Sequence, residues 1–449
     1  MLRTCNQGPA ARQSGQSARR GEAGTARPVA ARRRSWVVLA ALGLLLGLGA
    51  LGRAAPAADF PAEPLLEESS LRVESGEHTG PVTSIATTPS GDYVVTASED
   101  RTARVWDGAT AALLRTLRPP SLATGSEGRL YAVAISPDGA LVATAGVTRF
   151  FSGGEQRSSA VYLFDRSSGA LVRMLPGAVN SFSPEQVSRL CFSRDGQRLV
   201  VGHARTASMV FEVPSGRVLA ANLEPQRELL DADFDAAGRL LLTFNGGVLR
   251  LLDRQLRQIV EVQLGDRRPL RARFSPDGTQ VAVLHTQGAR VELRAGKDLK
   301  RRSDLAGSEL AAEAQLTSLV WSADGKSLLA GGQLPEQPAM LWRWPLARGG
   351  ARSEFVLGPE PPLELATRPG GGVLFATAEP SWGAVDGALK VVQRSGGRHP
   401  MADQPEALLV DASGEQVELL PSPATREAVR FHVRAPRLVR SPPADPGLR

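Results

Sequence analysis

The chain has 449 residues, of which 42% are hydrophobic and 22% charged, a balance that excludes a disordered or collagen-like polymer and allows one large domain or two or three ordinary ones. Its 46 glycines and 32 prolines imply many turns and favour an all-β fold over an all-α one. Of its 53 basic and 46 acidic residues, nine arginines and a single acid, Glu22, lie in residues 1–57, so the basicity belongs to the start of the chain and the rest is near neutral, which excludes the electrostatic footprint of a nucleic-acid binder.

Residues 1–35 are rich in Arg, Ala and Gly, lack apolar periodicity and read as a disordered leader. Trp36 to Gly52 is an uninterrupted apolar run preceded by Arg32, Arg33 and Arg34. Kept as a helix, it spans roughly 25 Å at 1.5 Å per residue, enough for a membrane anchor with slight thinning or snorkelling by Arg53. The alternative is a cleaved signal peptide, with Ala55-Pro56-Ala57 as its small-residue site. In both cases the arginines stay in the cytoplasm and the bulk of the chain is exported. The anchor reading places the protein at the inner membrane, held through 36–52 with its main domain outside the cytoplasm. The cleaved reading makes it periplasmic or secreted. A linker, 53–70, follows. Cys5 and Cys191 flank the apolar run and offer neither a disulfide framework nor metal-type spacing.

From residue 71 one unit recurs: an apolar alternating run, a tight turn containing Gly, and a second apolar run. Examples are VAISPDGALVATAG (133–146), RARFSPDGTQVAVLH (271–285) and SLVWSADGKSLLAGG (318–332), and the last is ALLVDASGEQVELLPS (407–422). Eight turn glycines (Gly91, Gly139, Gly196, Gly238, Gly278, Gly325, Gly372 and Gly414) mark the period. Pro sets φ and Gly supplies φ > 0 in such turns, and alternation on either side pairs as strands a and b. A third run (Ala103–Trp106, Val161–Phe164, Met340–Trp342) and a fourth (Leu113–Leu117, Leu171–Met174) supply strands c and d. Four antiparallel strands per unit predict an all-β propeller over 71–433, with eight blades, or seven with an irregular tail as the alternative, and a flexible tail at 434–449. The last unit shows no clear d strand, so Leu71-Arg72-Val73-Glu74 is expected to complete it and close the ring.

The segment from Glu77-His78-Thr79-Gly80 through Ser98-Glu99-Asp100 to Val105-Trp106-Asp107 resembles a complete WD repeat. The resemblance implies a hydrogen-bonded structural tetrad of His78, Thr96 or Ser98, Asp100 and Trp106. The other repeats keep the turn and strands without the tetrad. The first two repeats also resemble propeller regions found in bacterial proteins beside caspase-like peptidase domains, through 102–120 and Leu130–Gly139. This implies an accessory or sensor role and transfers no active site, because the chain has no peptidase half.

No motif for catalysis, cofactor or metal appears: GxSxG, P-loop, HExxH and CxxCH are absent, and the five histidines lack ligand spacing. Asp138, Asp195, Asp277 and Asp324 read as turn-makers. The expected function is a non-enzymatic scaffold, without cofactor, that binds a protein partner through the face carrying the b–c and d–a connections, where the long insertions fall. The candidate contacts are Arg118, Arg149, Phe150, Phe151, Arg157 and Trp382, since aromatic residues and Arg are typical anchors. The rival is a propeller enzyme with its site in the central channel. It requires converging titratable groups there, and the sequence offers only scattered His and turn Asp.

Overall fold

The computed structural model describes residues 76–396, apart from short internal stretches such as 121–126, 153–155 and 180–185, together with four strands between 408 and 440. The expected leader, apolar helix, linker and closing strand 71–74 fall outside the described residues. Among those described, no helix is long and apolar enough to cross a membrane.

Blade one is β1 (Val82–Thr87), β2 (Tyr93–Ser98), β3 (Ala103–Asp107) and β4 (Leu113–Leu117), paired in that order and antiparallel throughout. Blade two is β5 (Leu130–Ile135), β6 (Leu141–Gly146), β7 (Arg149–Ser152), β8 (Gln156–Asp165) and β9 (Leu171–Val179). Five further four-stranded blades follow, opening with the inner strands β10 (Val187–Phe192), β14 (Leu229–Phe234), β18 (Pro269–Phe274), β22 (Gln315–Trp321) and β26 (Pro362–Thr367). The a–b turns are built as their residues demand. In blade two, Ser136 Oγ donates to Asp138 and accepts the Leu141 N–H at 2.9 Å, and Gly139 sits at φ 71°. Ser193-Asp195, Ser275-Asp277 and Ser322-Asp324 repeat the arrangement, so these aspartates are turn residues. In blade seven the positive φ falls on Gly370 and Gly371 rather than on Gly372.

The ring has seven blades, and the expectation of eight is corrected. Among the described residues the buried apolar side chains divide into seven clusters, each filling the space between two neighbouring blades. The deciding cluster joins Val82, Ile85, Val94 and Trp106 of blade one to Leu374, Ala376, Trp382 and Ala384 of blade seven. The ring therefore closes blade against blade, through β1 and β26. The eighth repeat forms a separate sheet of Leu408–Val410, Gln416–Leu419, Val429–Arg434 and Arg437–Arg440. Its fourth strand comes from the segment expected to be a flexible tail.

Backbone carbonyls on the a–b turn face are bonded by arginines in one direction around the ring. On the a–b turn face an arginine of each blade reaches backbone carbonyls of the next at six of the seven interfaces. Arg115 donates to Ser167 O, Arg173 to Ser215 O, Arg198 to Gly238 and Arg254 O, Arg239 to Gly278 and Gly296 O, Arg343 to Gly387 O, and Arg368 to Gly108 O. These are charge-assisted bonds to carbonyls that strand pairing leaves free.

Candidate functional site

Three parts of the ring carry polar or exposed features that could serve function: the axis, the far end of blade two, and the polar network of blade one. At the axis, every inner strand has its bulge at the same place, and the residue just after it forms a ring: Ser84, Ala132, Arg189, Asp231, Arg271, Ser318 and Glu364. Where this residue can accept, it takes a backbone N–H from the next blade. Ser84 accepts from Val133 N at 3.3 Å, Asp231 from Ala272 N at 3.1 Å, Ser318 from Leu365 N at 3.0 Å and Glu364 from Ile85 N at 3.3 Å. The last of these spans the ring closure. Two residues further on, Asp233 accepts from Phe274 N at 2.8 Å.

Charges converge on this ring. Arg189 bridges Asp231, at 3.0 Å, and Glu364, and Arg273 Nη1 lies 2.5 Å from Asp231. Asp231 is fully buried. Burial alone would raise its carboxyl, but Arg273, Arg189 and Arg271 hold it below the usual range. Glu364 is likewise kept low by Arg189 and Arg271 against its burial. Asp233 goes the other way: burial pushes it up and Arg273 and Arg194 only partly compensate. Cys191, beside them, is a half-buried thiol that burial pushes up to about 11, well outside the range of a reactive thiolate. This convergence corrects the expectation of scattered histidines and turn aspartates at the channel. The signal was present in the alternating DADF (231–234) and RARF (271–274) of the neighbouring inner strands β14 and β18, which face one another only once blades four and five pack together.

At blade two, the expected b–c loop is largely strand. Thr148 Oγ donates to Ala160 O at 2.6 Å and the Ala160 N–H returns to Thr148, which carries strand b past a kink into β7. β7 pairs with the first half of β8, Arg149 opposite Ser159 and Phe151 opposite Arg157, and β9 runs along the other edge as far as Val179 opposite Ser158. The result is a three-stranded ribbon. It extends blade two on the b–c/d–a face, since β6 already ends the ordinary b strand at Gly146. Arg149, Phe150, Phe151 and Arg157 all lie on it. Tyr162 of β8 donates to Pro120 O at 3.1 Å, tying the base of the ribbon to the d–a passage that carries the half-buried Arg118. Trp382, expected on a loop, is instead in strand c of blade seven (Ser381–Val385), 1% exposed and packed on Trp106 with ring centroids 5.5 Å apart. It is a core residue at the ring closure, because the blade-seven b–c turn is shorter than its Pro and Gly content implied.

In blade one, His78 is 1% exposed between Asp100 and Thr96. Its Nδ1–H donates to Asp100 Oδ2 at 2.8 Å, Thr96 Oγ–H donates to Nε2 at 2.7 Å, and Trp106 Nε1–H donates to Thr96 Oγ at 2.8 Å. Thr96 is thus the strand-b member. Ser98 instead donates to Gly80 O and accepts the Asp100 N–H, holding the turn. Burial would raise the Asp100 carboxyl, but His78, Thr102 and the Thr79 N–H hold it well below the usual range, so it stays an acceptor and fixes the histidine tautomer.

Residues 70–107 match the family model of the WD domain, G-beta repeat. The match, the tetrad and the ring together support a WD-repeat propeller. A comparison with curated proteins gives no match. The remaining blades, blade six apart, depart from the first at the tryptophan position. The registers place Phe164, Phe211, Leu252, Arg294, Trp344 and Val385 where Trp106 sits in the WD repeat of blade one. Blade five has gone furthest: Arg294 pairs with the fully buried Glu292 at 2.6 Å, and His285 lies 3.3 Å from the same carboxylate. Among the described residues, no cluster of His, Cys, Asp and Glu could hold a metal ion.

Proposed function

We propose that this chain is a protein-binding scaffold that engages its partner on the b–c/d–a face, with the blade-two ribbon as the principal contact, and that the N-terminal segment holds it at a membrane with the propeller outside the cytoplasm. A WD-repeat propeller supports the general role of an interaction scaffold. The observation that carries the specific reading is the ribbon. β8 runs for ten residues where the c strands of blades one, three, four and five have five, and neither the ring nor the repeat requires the extra length. Its strands present edges that another chain can pair with or pack on. Replacing 149–157 by a short Gly-Ser turn is expected to leave the unfolding transition in place and to remove the protein that co-purifies from membranes. A variant that keeps its full set of bound proteins would end the proposal.

The membrane part is supported by the apolar run at 36–52 behind three arginines, and an alkaline phosphatase fused to the C terminus is expected to be active. An inactive fusion would contradict export. The narrower form of the reading, an accessory subunit beside a caspase-like peptidase, is tested by whether such a peptidase is among the retained proteins. The rival, an enzyme working in the channel, has the charge cluster in its favour. Against it, Asp231 and Glu364 are already committed to guanidinium groups and to backbone N–H groups of the next blade, which is work the ring itself needs.

A further inference from the structure

The axial cluster is not balanced. Four guanidinium groups (Arg189, Arg194, Arg271 and Arg273) act on three carboxyls (Asp231, Asp233 and Glu364). Arg189 and Arg273 each have a carboxylate within ion-pair distance, and Arg194 is exposed to water. Arg271 differs from all of them. It sits on the post-bulge ring of β18, half-buried, and gives Nη1 to Leu230 O at 2.9 Å. Its Nε, like that of Arg189, is buried with no hydrogen-bond partner, but where Arg189 and Arg273 have ion pairs, Arg271 has none among the described residues and feels Asp231 and Glu364 only from further away. The next ring position is Ser318, 1% exposed, whose oxygen accepts from Leu365 N and whose hydroxyl proton is given to no described residue. The buried Arg271 Nε and the Ser318 hydroxyl, at neighbouring positions of the ring, are two donors that no described acceptor meets. Leaving such donors unmet costs more than any ordinary hydrogen bond returns.

We infer that the channel seats a small oxyanion, a carboxylate or a phosphate, held by Arg271 and Ser318. The guanidinium edge matches the two oxygens of such a group. The ring lies near the start of each inner strand, and those strands begin at the b–c/d–a face, so the anion enters from the face assigned to the partner. The inference does not depend on that assignment, since the ribbon and the axis are separate parts of the blade set.

The test is titration of the purified full-length chain, in a buffer of low anion content, with inorganic phosphate and separately with acetate, followed by calorimetry and by thermal unfolding. A saturable heat and a saturable rise in Tm are expected with one or both, and which of the two identifies the class. Non-specific salting effects do not saturate and act on every variant alike. Arg271→Met is expected to abolish the saturable response, and Ser318→Ala to weaken it by about tenfold, as loss of one hydrogen bond to a charged group does. Should Arg271→Met fail to fold, Arg271→Lys keeps the charge without the fork and is expected to weaken binding by about tenfold. A wild-type chain without saturable response to either anion, or a response unchanged in the Arg271 variants, would overturn the inference. Neither result touches the ribbon, whose variant is expected to bind the anion normally.

Discussion

Asp231→Ala is expected to be among the most damaging single substitutions in the ring, at about 3–5 kcal/mol, the usual result of removing one partner from a buried ion network. Asp231 is 0% exposed, forms ion pairs with Arg189 Nε at 3.0 Å and Arg273 Nη1 at 2.5 Å, and accepts the Ala272 N–H at 3.1 Å. Alanine leaves two guanidinium groups short of a counter-charge and one backbone amide unpaired, where blade four meets blades three and five. By contrast, breaking the exposed pair of Arg254 and Asp195, 3.3 Å apart, with Arg254→Ala is expected to cost under about 1 kcal/mol. The denaturant midpoint reads both, with an unchanged slope confirming that the same ring unfolds.

The pH dependence of the first substitution follows from its cause. The arginines hold the Asp231 carboxyl below its usual value in the folded chain. A carboxyl depressed on folding adds stability that is fully present above its unfolded pKa, about 3.9, and is lost as pH falls towards the folded value. The difference between wild type and Asp231→Ala is therefore constant near neutrality and narrows in acid. A difference below about 1 kcal/mol at pH 7 would mean that the cluster is hydrated and does no structural work.

What could be read from the residues follows from how local each feature is. Pro-Asp-Gly turns and period-two runs are set by φ, ψ and burial of the strand itself, so the repeat, its a–b hairpins and the blade-one tetrad were legible. Blade count was not. The eighth repeat carries the same local pattern as the others, and what separates it from the ring is whether blade one packs on blade seven, a contact between residues almost the whole domain apart. The axial charges were overlooked for the same reason. Arg189, Asp231 and Glu364 lie on three different blades, and each alone looks like a charged residue on an exposed strand edge. Blade two misled in a simpler way: Gly153-Gly154 and the serines around Phe150 and Phe151 read as loop, whereas β7 and β8 pair directly through Phe150 and Ser158. Trp382 looked like a loop anchor because Pro380 and Gly383 flank it, yet its register with Ala376 puts it in the closing interface.

That interface carries the second large effect. Trp106→Ala and Trp382→Ala are each expected to cost about 3–5 kcal/mol, the range for deleting a buried tryptophan. The two rings are fully buried, 5.5 Å apart and inclined by 53°, a tilted aromatic pair that joins blade one to blade seven. In an eight-bladed ring another blade would stand between them and they would not meet. The double-mutant cycle on this pair is therefore the direct measurement of seven-bladed closure. Stability of the wild type, the two single variants and the double variant is to be measured in denaturant. Closure by blades one and seven predicts a double variant less destabilised than the two singles added together, with a coupling of about 0.5–1.5 kcal/mol. Additivity within about 0.3–0.5 kcal/mol, the behaviour of residues that do not touch, would contradict it.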